Sequence, residues 1–164
     1  MKRYLQMTFA VLALSIGWAH AQHVTVSEGW ARATVQGQKA TGAFMTLTAK
    51  ENLKLVGVSS SAAGVVQIHE MKMDKDVMKM SALPSLDLPA GQAVELKPGG
   101  YHVMLMDLKQ NLTKDDVVPL TLQFQDAKGK KSQLELKVPV LMQPPSTPAG
   151  GGMPAAHMHG DHSH

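Results

Sequence analysis

The sequence predicts an all-β domain, built as an antiparallel sandwich or barrel. Three observations favour this class. Short runs of β-forming residues, many of them alternating apolar and polar, follow one another from Val24 to Val140. Turn residues interrupt them at short intervals, and little of this region could form a long helix. Many short strands at regular spacing are typical of sandwiches and barrels.

Each predicted strand combines β-branched or aromatic residues with a turn signal at its end. Gly37, Asp74-Lys75, Pro89 to Gly91, Pro98 to Gly100 and Lys128-Gly129 supply the turns. The nine predicted strands are Val24 to Val35, Ala40 to Thr48, Leu53 to Ser59, Gly64 to Met73, Asp76 to Ala82, Ala93 to Lys97, Tyr101 to Leu108, Val117 to Gln125 and Gln133 to Val140.

The two ends of the chain have a different composition from the β region. A positive start at Met1 to Arg3, a short apolar run and the small-x-small site Ala19 to Ala21 together predict a secretory signal peptide over residues 1–21. After Met142 a Pro/Gly-rich linker leads into a His/Met-rich end, so residues 143–164 are predicted to be disordered. Residues 22–142 remain as the one folded domain.

Charge and cysteine content exclude several classes of function. Without Lys2 and Arg3, the chain carries 14 basic and 13 acidic residues, which gives no electrostatic case for binding nucleic acid. The apolar run near the N-terminus is too short for a membrane span, and no other segment approaches one. The chain contains no cysteine, so burial of apolar surface must stabilise the domain without disulfides.

Histidine and methionine recur at one spacing within the β region. His69 is followed after ten residues by Met80, and after twenty-one more by His102 and Met104. Two imidazoles and two thioethers form a soft, neutral ligand set, which suits monovalent copper far better than calcium, magnesium or zinc. The spacing therefore predicts a Cu(I) site.

A predicted hairpin gives this spacing a physical meaning. If the chain turns at Asp74-Lys75, His69 lies opposite Met80 and Met71 lies opposite Met78, all on one face. The segment from Tyr101 to Met106 places His102 and Met104 on one face, and Val103 and Leu105 can then point into a core. A slip of one residue would turn a ligand away from the site.

Methionine in a β domain usually fills the core, so each thioether has a second interpretation. Met45, Met73 and Met142 are assigned to packing on this ground. Met71, Met78 and Met106 stay open, and Met71 or Met106 could serve as an outer or alternate ligand. The joint spacing of the four principal residues is what favours ligation for them.

The C-terminal end forms a second candidate metal site. Imidazoles without an ordered scaffold favour Cu(II), Zn(II) or Ni(II) with modest selectivity. A solvated tail without a metal is the alternative interpretation. The candidate ligands there are His157, Met158, His159, His162 and His164.

These motifs resemble the periplasmic PCuAC copper chaperones. The run from Leu96 to Met106, preceded by Leu88 to Gly91, is similar to the signature of that family. So are His69 and Met80 at matching spacing, together with Trp30 to Arg32 and Thr41 to Phe44. The resemblance extends over roughly Val24 to Val140.

The resemblance implies a cupredoxin-like β-barrel or sandwich that binds Cu(I) through His69, Met80, His102 and Met104. It implies a periplasmic protein that supplies copper to subunit II of cytochrome c oxidase, in concert with thioredoxin-like assembly factors of the Sco type. We expect a monomer. Copper buffering without a dedicated acceptor is the alternative function. An enzyme or electron carrier is not expected, because cupredoxin electron-transfer sites need a cysteine thiolate.

Overall fold

The computed structural model describes residues 23–146, which form ten strands and no helix. The predicted signal peptide and most of the predicted tail, with its candidate ligands, lie outside the described residues. The strands are β1 Val24–Arg32, β2 Ala40–Ala49, β3 Leu53–Ser59, β4 Ala63–Asp74, β5 Val77–Leu83, β6 Leu86–Leu88, β7 Ala93–Leu96, β8 Tyr101–Leu108, β9 Val117–Asp126 and β10 Lys131–Leu141.

The all-β prediction is confirmed. The strands form one open sheet in the order β5-β4-β8-β7-β2-β1-β10-β9-β3-β6, and β2 also pairs directly with β8. Most neighbours are antiparallel, as predicted, but β1 runs parallel to β10 and β7 runs parallel to β8. Strand β6 was not predicted. It is only three residues long and lies between Pro84 and Pro89, where a sequence pattern gives no alternation to follow.

One apolar core joins the two ends of this sheet. Alternate residues along the strands are buried, as the period of two in a half-buried strand requires. Leu55 and Phe124 enter the core from one end of the strand order, and Val103 and Leu105 enter it from the other. The sheet must therefore curl over on itself, which leaves its outer face available for a site.

The methionines divide between core and surface differently from the prediction. Met45 is 2% exposed and fills the core, as predicted. The assignment of Met73 and Met142 to packing is wrong, since they are 60% and 67% exposed. Met73 lies near the tip of the β4–β5 hairpin, where its chain neighbours are exposed as well, and Met142 follows the end of β10.

The hairpin between β4 and β5 has a register shifted by two residues from the predicted one. Met71, not His69, lies opposite Met80, and Met73 lies opposite Met78. The turn is at Lys75 and Asp76, which both have positive φ. A shift of two positions keeps every side chain on its original face, so the ligand candidates still share one face.

Candidate metal centre

The two histidines of the motif lie opposite each other on adjacent strands. The β4–β8 register pairs His69 directly with His102, and their ring centroids are 5.6 Å apart. Their neighbours Ile68 and Val103 point into the core, so both imidazoles point to the outer face. Even there they are buried, with 9% of His69 and 5% of His102 exposed.

Hydrogen bonds assign the proton on each imidazole. His69 Nε2 lies 3.0 Å from Gln67 Oε1, and an amide oxygen can only accept, so Nε2 carries the proton. His102 Nδ1 donates in the same way to the Gly100 carbonyl at 3.3 Å. Each ring then has one nitrogen with a free lone pair, Nδ1 in His69 and Nε2 in His102.

His69 Nδ1 is the only buried side-chain nitrogen or oxygen without a hydrogen-bond partner among residues 23–146. A buried polar atom that lacks a partner costs free energy, and such atoms are rare in folded proteins. A metal ion at this nitrogen would supply the missing partner. Burial, and to a lesser degree repulsion from His102, lower the pKa of His69, which favours the neutral ring that a metal needs.

The motif methionines line a shallow cleft of about 290 Å³ beside the histidines. His102, Met104, Met80 and Met71 all contribute to its wall. The cleft thus brings together three of the four predicted ligands, and the fourth, His69, lies directly opposite His102. Met106 does not line this cleft; it lies two positions further along β8, opposite Ala40 and Val65.

The charge around the cleft disfavours divalent ions. Its lining contains no carboxylate, and Arg32 is the one charged residue there. Among the described residues no three His, Cys, Asp or Glu side chains come together as a metal site. A permanent positive charge repels a divalent ion twice as strongly as a monovalent one. Neutral ligands beside Arg32 therefore favour a soft, monovalent ion over calcium, magnesium or zinc.

Aromatic packing supports one side of the cleft. Phe44 lies 6.3 Å from His102 and 4.8 Å from Trp30 between ring centroids, and the Arg32 guanidinium lies over both aromatic rings. Gly42 makes room for this arrangement, since a Cβ atom there would be 2.8 Å from Phe44 Cζ. The sequence motifs contained these residues, but only the pairing of β1, β2 and β8 reveals their position beside His102.

The loop before β8 borders the cleft and bonds to two residues of its wall. Pro98 and Gly99 line the cleft, and Gly99 has a φ of 85°, which glycine adopts without strain. The Gly100 carbonyl accepts the Met71 backbone N–H at 3.1 Å as well as His102 Nδ1. This one carbonyl thus links the hairpin to His102.

Fold and site together define a class of protein: an all-β domain with imidazoles and thioethers gathered at a shallow cleft on its outer face. The chain belongs to the LpqE-like family, whose model, described as "Putative lipoprotein LpqE-like", matches residues 24–140.

Two curated relatives are similar to the chain. It is 36% identical over 107 residues to "Putative lipoprotein Lxx21020" of Leifsonia xyli, a match that covers 65% of this chain and 64% of that protein. It is 37% identical over 103 residues to "Uncharacterized protein RP573" of Rickettsia prowazekii, covering 59% and 57%. The chain thus spans less than two thirds of the length of either relative.

Solved structures with the same fold include PCuAC domains. A Cu(I) form of DR1885 from Deinococcus radiodurans is 31% identical, with a TM-score of 0.54 over 74% of this chain and 82% of that one. The apo form of DR1885 is 27% identical, with a TM-score of 0.54 over 87% and 95%. A copper-bound PCuAC domain from PmoF2 is 23% identical, with a TM-score of 0.55 over 73% and 94%, a likeness in fold alone.

Proposed function

We propose that this protein is a copper chaperone that binds Cu(I) through His69, Met80, His102 and Met104. The observation that carries the proposal is the pair of facing imidazoles, each with one free nitrogen, beside a cleft that holds thioethers and no carboxylate. The DR1885 structure supports it, since that relative in fold carries Cu(I). The role is that of a carrier and not of an enzyme.

The proposed location is the periplasm. The predicted signal peptide at residues 1–21 would direct export, and the Leifsonia relative is named as a lipoprotein. Among residues 23–146 no helix is long and apolar enough to cross a membrane. In this proposal residues 22–142 are the copper-binding domain and residues 143–164 are a tail with a secondary Cu(II) site.

The proposed acceptor is the copper domain of cytochrome c oxidase subunit II, with a Sco-type thioredoxin-like factor as a second partner. The direction of transfer follows from ligand chemistry. Cysteine thiolates in the acceptor are stronger soft ligands than the thioethers Met80 and Met104. Half of the Met80 side chain is exposed, so an acceptor can approach the ion from that side.

The test is direct transfer between purified, reduced proteins without oxygen. The copper-loaded chain, acting as a monomer, is mixed with the apo copper domain of subunit II, and copper is measured on each protein after separation. We expect most of the Cu(I) on the acceptor. Retention of Cu(I) on this chain, with the acceptor still able to take free Cu(I), would contradict the chaperone function.

Copper buffering is the second candidate function, and the histidines in the predicted tail favour it. A deletion strain separates the two functions. A chaperone predicts low oxidase activity under copper limitation, largely recovered by added copper, because mass action can replace delivery. Buffering predicts normal oxidase activity and lost tolerance to excess copper.

A further inference from the structure

The tip of the β4–β5 hairpin extends beyond the rest of the sheet. Strand β4 pairs with β8 only as far as Glu70 and Tyr101, and the last backbone bond to that side runs from Met71 to Gly100. In the strand register, residues 71–74 pair with β5 alone. Neither face of this extension packs on the core, so its composition reflects something other than core packing.

The two faces of the extension differ in chemistry. One face has the cross-strand pairs Lys72 with Lys79 and Asp74 with Val77, and an ion pair joins Lys79 to Asp74. The other face has two cross-strand pairs, Met71 with Met80 and Met73 with Met78. All four positions on that face are methionine.

Packing does not explain these methionines. Met73, Met78 and Met80 are 60%, 46% and 49% exposed. A strand that only needed apolar residues would be better served by β-branched ones, which have higher β propensity and lose less side-chain entropy. What methionine supplies, and valine or isoleucine cannot, is a sulfur atom.

The geometry suits one ion held between the two methionine pairs. Directly opposed residues in an antiparallel ladder have Cβ atoms about 4.5–5.5 Å apart, and residues two apart along a strand are separated by about 6.8 Å. A methionine side chain spans either distance in combination with its neighbour, since it is long and unbranched. Thioethers carry no proton and no charge, so they can exchange a monovalent soft ion without any change of protonation.

We propose that Met73 and Met78, together with Met71 and Met80, form a second Cu(I) position at the hairpin. This inference rests on the proposed function, because Met71 and Met80 also line the cleft beside His102. Cu(I) enters or leaves along the methionine face by exchange of one thioether for the next. The ion stays monovalent throughout, and the imidazole ligands make the inner position the tighter one.

Methyl NMR of the whole chain, labelled with ¹³C at the methionine methyl groups, tests the proposal with Cu(I) as the probe. Copper is added stepwise under reducing conditions without oxygen. We expect the Met80 and Met104 signals to shift first, and the Met73 and Met78 signals to shift at a later step. Signals of Met73 and Met78 that remain unchanged with excess Cu(I) would overturn the proposal.

The variant Met73→Leu with Met78→Leu gives a second measurement, with Met142→Leu as the control. Met142 is also highly exposed but lies far along the chain from the hairpin, and leucine is close to methionine in volume. We expect the later step to weaken by at least about tenfold in the double variant and to be unchanged in the control, with the first step kept in both. Equal weakening in both variants would overturn the proposal.

Two results separate failure of this inference from failure of the proposed function. If the first Cu(I) leaves the Met80 and Met104 signals and the histidine ring signals unchanged, the inner site and the proposed function are both wrong. If those signals shift, but Met73 and Met78 respond only when the oxidase copper domain is added, the inner site stands. The methionine face would then be a protein contact and the second copper position would be wrong.

Discussion

At the scale of single residues, the proposed site depends on which nitrogen of each imidazole is free. Gln67 Oε1 accepts a hydrogen bond from His69 Nε2, and the Gly100 carbonyl accepts one from His102 Nδ1. Such partners fix the tautomer and the orientation of a metal-binding ring. Neither could be predicted from the spacing of the four ligands, because the alternating pattern identifies Gln67 only as a strand residue and the Pro98 to Gly100 run identifies Gly100 only as a turn residue.

Cu(I) affinity should fall in acid, because an imidazole must lose its proton to bind. Burial lowers the pKa of His69, so proton competition at this residue begins below the ordinary value of about 6.5. Each unit of pH in the acid range lowers the Cu(I) affinity at most about a hundredfold, the limit for two displaced protons. Competition with a chromogenic Cu(I) chelator, over a range of pH, measures this.

The same lowered pKa should affect the stability of the copper-free protein. In the unfolded chain His69 binds its proton at ordinary pH values, but in the folded chain it binds the proton only at lower pH. Acidification below about pH 6.5 therefore favours the unfolded state.

For the chelator competition, a Cu(I) affinity that is independent of pH down to about pH 4 would show that the histidines are not ligands.

Replacing Met80 by leucine should weaken Cu(I) binding with little effect on folding. The side chain is 49% exposed, and leucine fills a similar volume, so we expect a loss of stability below about 1.5 kcal/mol. X-ray absorption should show one sulfur neighbour fewer at the copper. The control Met142→Leu should change neither the Cu(I) affinity nor the number of sulfur neighbours. A first-site affinity equal to that of the unchanged chain would remove Met80 from the ligand set.

At the scale of strands, the sequence predicted the elements better than their pairing. Nine of the ten strands overlap predicted ones, because alternation and turn residues are local signals. The sequence predicts the hairpin turn one residue early, at Asp74-Lys75 in place of Lys75-Asp76. Both placements extend the alternation equally well, so only the conformation of the turn distinguishes them. The error left the faces correct, which is why the ligand prediction did not depend on it.

The hairpin turn carries strain that a different turn sequence would relieve. Lys75 and Asp76 have φ values of 48° and 65°, the left-handed region that Asn-Gly adopts most readily in a two-residue hairpin. Lys75→Asn with Asp76→Gly should stabilise the domain by about 1 kcal/mol, since a left-handed residue other than glycine costs about that much. Thermal unfolding measures the change.

This turn variant also checks the observed register. In that register the two substituted residues form the turn itself, and the four hairpin methionines keep their pairs. The register with Met80 opposite His69 would place glycine in a strand instead, where it destabilises. A lower midpoint of unfolding would therefore contradict the hairpin as described.

At the scale of the whole molecule, the curled sheet separates the apolar core on its inner face from the candidate metal site on its outer face. Residues from both ends of the strand order fill one core, while the histidines and their methionines occupy the outer face of β4, β5 and β8. This arrangement could not be predicted from the sequence, because it depends on which strands become neighbours. The parallel pairing of β1 with β10 joins segments about a hundred residues apart, and no local pattern encodes it.

Deletion of residues 143–164 should separate the two proposed metal sites. The deletion removes four of the eight histidines in the chain but none of the residues around the cleft. The imidazoles of these residues are expected to favour Cu(II), whereas the cleft offers a soft set that favours Cu(I). We therefore expect most Cu(II) capacity to be lost, with Cu(I) affinity nearly unchanged. Calorimetric titration with each ion measures both.

The remaining Cu(II) capacity then identifies where that ion binds. His23 is the one histidine outside both sites in the described part of the chain, and its Nδ1 pairs with Glu51 Oε1 at 2.6 Å. A shortened chain that keeps all of its Cu(II) binding would place the Cu(II) site there or at the cleft, contrary to the proposal. His23→Gln in the shortened chain distinguishes these two, because only a site at His23 would lose Cu(II) while Cu(I) binding at His69 and His102 is kept.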